Sequence, residues 1–265
     1  MSAPASEAAR LRAAIRSGKH TGPTAGLAPG FAQANVVILP ARDAADFAEF
    51  CRLNPRPCPL IEQLEPGDPE PRRSAPGADL RTDVPRYRVF RSGKAEPREP
   101  TDIRELWRGD LVGFLLGCSF TFEAALIAAG LPVRHIEQHR NVPMYRTNIA
   151  CAPAGRFAGP LVVSMRPYRP EQIARVREIT AQYPTMHGAP VHAGDAAAIG
   201  VADLMRPDFG DAVTIEPGEL PVFWACGVTP QLALAAARPE LTITHSPGCM
   251  FVTDLRDDLR ASNNF

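Results

Sequence analysis

The feature that most narrows the folds open to this chain is a passage that occurs twice. Phe114-Leu-Leu-Gly-Cys118-Ser-Phe-Thr121-Phe-Glu123-Ala-Ala-Leu126 can be laid over Val222-Phe-Trp-Ala-Cys226-Gly-Val-Thr229-Pro-Gln231-Leu-Ala-Leu234 with Cys, Thr, Ala and Leu coincident. Upstream, Gly109-Asp110-Leu111 answers Gly218-Glu219-Leu220, and downstream Met144-Tyr-Arg-Thr147 answers Met250-Phe-Val-Thr253. Each copy reads as an apolar strand, a tight turn and a helix followed by another strand, so an internally duplicated strand–turn–helix–strand unit is expected. Two such turns would present unpaired backbone N–H groups at helix N-termini, which suit a carboxylate. Thr121 and Thr229 are expected to cap the two helices, with Pro230 in the first turn of the second.

Around this unit the chain reads as an α/β protein with mixed sheets. Ser6 and Gly18 bracket a helix over 7–17, and 36–39 reads as a strand after the Gly- and Pro-rich segment 21–35. Asp43 opens a helix burying Phe47, Phe50 and Cys51. Ten prolines between Pro55 and Pro100 make that stretch a long irregular excursion around one strand near Tyr87 to Phe90. Strands and helices alternate after residue 108, with a helix over 171–183 begun by Pro170. One domain is expected over 1–265. Its 1–108 portion holds the Pro-rich excursion, and its 109–265 portion holds the duplicated unit and the chemistry.

Composition excludes several classes of function. The 29 basic residues balance 29 acidic ones, so no overall field recruits nucleic acid or an anionic membrane, and a small-molecule partner is expected. The apolar stretch 111–122 is too short to span a bilayer. Six cysteines stand far apart without a CxxC pair, as free thiols in a reducing compartment would, and the cytoplasm is the expected location. The Pro-rich excursion is the candidate surface for a homo-oligomer.

The candidate site residues follow from chemistry. Cys118 and Cys226 each end a strand beside a helix N-terminus, where the dipole favours a thiolate of lowered pKa. His187, His192 and His245 lie in loops of the second half and can carry protons at neutral pH. With Asp195 or Asp254 they match no standard metal signature, so no metal is expected. His135 and His139 read as exposed. Arg166 ends an apolar strand and can clamp a substrate carboxylate through two parallel hydrogen bonds, with Arg146 and Asn148 as further polar contacts. Glu123 and Asp254 are candidate acids or bases. Ser119, Thr121, Gly227 and Thr229 belong to the carboxylate-binding turns.

Several longer passages carry a resemblance. They include Asn54-Pro-Arg-Pro-Cys-Pro-Leu, Arg81-Thr-Asp-Val-Pro-Arg-Tyr-Arg-Val, Gly117-Cys-Ser-Phe-Thr-Phe-Glu, Asn141-Val-Pro-Met-Tyr-Arg-Thr-Asn-Ile, Tyr183-Pro-Thr-Met-His-Gly-Ala-Pro-Val-His and Pro221-Val-Phe-Trp-Ala-Cys-Gly-Val-Thr-Pro-Gln. From about Gly22 to the end the chain resembles the D-glutamate cyclase-like family, whose bacterial members are described as hydro-lyases. The resemblance implies dehydration of a small amino or carboxylic acid, with D-glutamate going to 5-oxo-D-proline and water in amino-acid metabolism, and no redox cofactor. Two alternatives stand beside it. Two symmetric cysteines facing one carbon would suit a cofactor-independent racemase, and a carboxylate-binding protein without catalysis would use the same turns.

Overall fold

The computed structural model describes residues 5–256. In chain order its elements are α1 (Glu7–Arg16), β1 (Phe31–Pro40), α2 (Ala41–Leu53), β2 (Leu60–Gln63), β3 (Tyr87–Arg91), β4 (Lys94–Ala95), β5 (Leu111–Gly117), α3 (Phe120–Ala128), α4 (Arg134–Glu137), β6 (Met144–Ala150), β7 (Pro160–Tyr168), α5 (Pro170–Ala181), β8 (His192–Ala193), β9 (Leu220–Ala225), α6 (Val228–Ala237), β10 (Leu241–His245) and β11 (Phe251–Arg256). Short 3-10 turns, including Pro184–Met186, fill the connections.

The strands form two sheets, and every pairing between them is antiparallel. The first runs β2-β5-β1-β10-β3-β4, with β11 also on β1, and the second runs β6-β7-β9-β8. Strand β1 is the axis of the first sheet. Along one edge it pairs with β5 from Ala34 to Pro40; along the other, Val37 and Ile38 pair with β10 while Phe31 to Ala34 pair with β11. The strand therefore extends five residues upstream of 36–39, into the segment expected to be irregular. Gly30, at a φ of 81°, ends the turn before it, and partners on both edges hold it extended.

Both faces of β1 are buried, which explains its nearly unbroken apolar text. Ala34, Val36 and Ile38 join one core with Phe122 and Leu126 of α3, Val176 of α5, and Val222 and Trp224 of the second sheet. Val37 and Leu39 join another with Phe47 and Phe50 of α2, Leu234 of α6, and Val163 and Phe223 of the second sheet. Each core thus draws on both sheets. Helix α1 starts as expected, with Ser6 Oγ accepting the Ala9 amide at 3.0 Å, and Gly18 takes the left-handed conformation at its end.

Candidate functional site

The two repeated turns come together at the ends of β5 and β9. Neither threonine caps its helix, because α3 and α6 start one residue before it, leaving Thr121 and Thr229 inside the first turn. Each reaches across instead to a neighbouring strand. Thr121 Oγ1 accepts the Gln33 amide of β1 at 3.4 Å, and Thr229 Oγ1 accepts the Val162 amide of β7 at 2.9 Å. Asn35 sits between the turns. Its Nδ2 donates to the Gly117 carbonyl at 2.9 Å, and a Cβ added to Gly227 would stand 2.6 Å from that same nitrogen.

Arg166, fully buried on β7, is the charge at the centre. Its guanidinium lies 5.3 Å from the Phe122 ring and 5.2 Å from the Trp224 ring. It donates to Ser164 Oγ and Ser119 Oγ, each at 3.2 Å, and forms an ion pair with Glu123 Oε1. The Arg166 Nε has no hydrogen-bond partner. Removing two such ions from water costs several kcal/mol per ion before their attraction offsets it, so hydrophobic residues of similar size could serve the fold as well. Aromatic faces and an opposite charge make the cation tenable there.

Glu123 also faces His135, whose Nε2 lies 3.3 Å from the same carboxylate oxygen. Burial pushes the Glu123 pKa up, but Arg166 and His135 outweigh it and hold the carboxyl below its ordinary range. His135 corrects the sequence reading: it is 4% exposed, whereas His139 is on the surface. The short helix α4 that carries it follows buried Leu131 and Val133 and packs against β7. Its Nδ1 is buried without a partner.

Cys118 and Cys226 are also brought together here, but the expected thiolates are not. Burial pushes the Cys118 thiol up to about 12, and neighbouring Cys226 and Glu123 push the same way against the Phe120 amide. Burial likewise raises Cys226 to about 11, despite the Val228 amide and Arg166. Desolvation of the charged form outweighs the helix N-terminus at both positions.

The histidines separate. His187 follows the 3-10 turn beside Gly117, its Nδ1 2.7 Å from the Arg56 carbonyl, and burial with the nearby Arg166 lowers its pKa to about 4. His245 accepts the Val36 amide at Nδ1 over 3.1 Å, and burial lowers it to about 4 as well. His192 stands elsewhere on β8, with Nε2 2.6 Å from the Asp195 carbonyl. No group of three or more His, Cys, Asp or Glu among the described residues is arranged to hold a metal ion.

Three further candidates lie outside the cluster. Asp254 accepts from Arg12 at 2.6 Å and from Ser6 at 3.0 Å, fastening α1 to β11. Arg146 is exposed, beside Asp208 and over the Phe209 ring, and Asn148 packs against Gly200. Sequence reasoning missed Asn35, Ser164, Trp224 and His135. An amide in the apolar text Ala34-Asn35-Val36 was the one available signal, since a polar group inside a buried strand needs a partner.

A cleft of about 400 Å³ opens onto Glu123 and His135. Phe120 and Ile127 of α3, Pro23 and the Pro247-Gly248 turn line it, with exposed Arg140, a donor to the Ala212 carbonyl, at its rim. Its size and its few polar groups suit a small ligand. No helix of the described residues is long and apolar enough to cross a membrane.

Comparison with known proteins gives concordant matches. Residues 112–254 match the family model described as D-glutamate cyclase. A protein of Rubrobacter xylanophilus is 65% identical over 257 residues, 97% of this chain and 98% of its own length. Proteins of Stutzerimonas stutzeri and Geobacillus kaustophilus are 58% and 56% identical, covering 94% and 93% of this chain and 94% of each relative. The names of all three include the words "Putative hydro-lyase".

Proposed function

Because the chain belongs to the D-glutamate cyclase family, we propose that it is a hydro-lyase removing water from a small amino or carboxylic acid. Cyclisation of D-glutamate to 5-oxo-D-proline is the reaction it would carry out in the cytoplasm. The observation that carries this reading is the Arg166–Glu123 ion pair, buried behind a cleft and in contact with His135. A buried charge pair contributes little net stability after its desolvation cost, so one set beside a ligand-sized opening supports a working site.

Dehydration needs a group to take a proton, a route by which that proton reaches the departing oxygen, and donors for the charge that develops. Glu123 and His135 line the cleft, Ser119 and the start of α3 are the candidate donors beside them, and Cys118, Cys226, Gly227 and His187 lie outside its lining. Arg166 is better placed to keep Glu123 ionised than to clamp a substrate carboxylate, being wholly enclosed and already bonded to Ser119, Ser164 and Glu123. The matching reach of Thr121 and Thr229 to β1 and β7 supports a duplicated origin for the two turns. Cores shared between the sheets support a single domain. The two-cysteine racemase gains nothing here, since both thiols are pushed well above neutral pH.

Proton NMR of the purified protein in deuterated water, with D-glutamate, L-glutamate and 5-oxo-D-proline in turn, tests the reading. Interconversion of D-glutamate and 5-oxoproline is the expected result. Exchange of the α-proton without ring formation would replace the cyclase with a racemase, and silence with all three would remove D-glutamate as substrate.

A further inference from the structure

We propose that His135 is the proton-carrying residue of the cleft, with Nδ1 as the atom that meets the substrate's N–H or O–H donor and Glu123 and Arg166 as positioning residues behind it. The inference deepens the hydro-lyase reading and rests on it for the reaction. The site itself rests on geometry alone.

The contact with Glu123 favours one tautomer. Glu123 Oε1 is an ion-pair partner of Arg166 and stands 3.3 Å from His135 Nε2, so Nε2 carries the hydrogen and Nδ1 keeps a lone pair. That lone pair is buried without a partner on a residue 4% exposed, and the same residue lines the cleft. Nearly all buried polar atoms have partners, so an orphan acceptor on a residue that lines the cleft marks where a ligand donor belongs. The arrangement also orders the charges. When Nδ1 takes a proton from the substrate, Glu123 and Arg166 behind the ring hold it in place for the proton's return.

The ligand class follows from the same walls. A small acid with an ammonium or hydroxyl donor fits, its donor at Nδ1 and its carboxylate toward Arg140 at the rim. In cyclisation, two protons leave the substrate nitrogen as the N–C bond forms, and both end on the oxygen that departs as water. In elimination from a hydroxy acid, the C–H bond breaks, its electron pair forms the C=C bond, and the proton leaves with the hydroxide. One imidazole that takes and returns each proton balances either reaction.

The test uses the full chain labelled with 15N-histidine, with long-range proton–nitrogen spectra assigned by the signals missing in His135→Gln. The free protein is expected to show His135 as the Nε2–H tautomer, and D-glutamate, 5-oxo-D-proline or D-malate to move its Nδ1 resonance. Glu123→Gln is expected to weaken the tautomer preference. For whichever probe turns over, His135→Gln should retain the wild-type unfolding transition and lose about 100-fold or more in kcat, and imidazole should restore part of the activity of His135→Ala. A shift with D-malate and no turnover of D-glutamate would keep the cleft assignment and remove the cyclase substrate. An Nδ1–H tautomer, an Nδ1 signal unmoved by all three probes, or unchanged turnover in His135→Gln overturns the inference.

Discussion

Two histidines set an acid limit on the folded state. His187 and His245 have their pKa values lowered by burial from 6.5 to about 4, so the unfolded chain binds protons that the folded chain refuses between these values. Stability is therefore complete above about pH 6.5 and falls as the pH drops toward about 4, by up to about 3 kcal/mol for each histidine. Urea midpoints measured across that range should decline steeply for the native chain and less steeply for His187→Gln and for His245→Gln. Equal slopes in all three proteins would show that neither imidazole is held neutral by the fold. Replacing either residue also removes a specific bond, to the Arg56 carbonyl or from the Val36 amide, so the slope with pH is the informative quantity rather than the absolute midpoint.

At the level of elements, the turns work because backbone approaches backbone. A Cβ on Gly117 would lie 1.7 Å from the Thr185 carbonyl oxygen and 2.8 Å from Met186 Sδ. Gly117→Ala should displace the turn that precedes His187, lower stability by about 1–3 kcal/mol and weaken turnover, as thermal unfolding and kinetics will check. Unchanged melting would mean that the turn is free to move aside. The same crowding explains what was legible in the sequence. Strand β5 and helix α5 announced themselves through local pattern and a favourable Pro170, and the Cys118 and Cys226 turns through repetition. Glu123 and Arg166 were visible as candidates, but their pairing joins residues 43 apart in the chain and no periodicity encodes it. His135 was out of reach because its burial comes from a cleft wall assembled from distant segments. The thiol pKa values were misjudged because a local dipole can be read from sequence, whereas the depth of burial that opposes it is a property of the fold.

Across the molecule, Asp254 ties the first helix to the last described strand through Arg12 and Ser6. Asp254→Asn should reduce stability by about 2 kcal/mol, the value of hydrogen bonds to a charged group, while leaving kcat unchanged. A lower kcat at unaltered stability would restore Asp254 to the chemistry. The same closure of early chain on late chain appears in β1, one edge of which is completed by β10 and β11 from the far end of the described chain. During synthesis, β1 leaves the ribosome some two hundred residues before those partners exist. Until then an apolar strand edge has no mate in its own chain, and pairing at such sequence separation is slow to form. The growing polypeptide thus passes most of its translation unable to close its central sheet, and the nascent chain, more than the finished protein, is where chaperones would be needed.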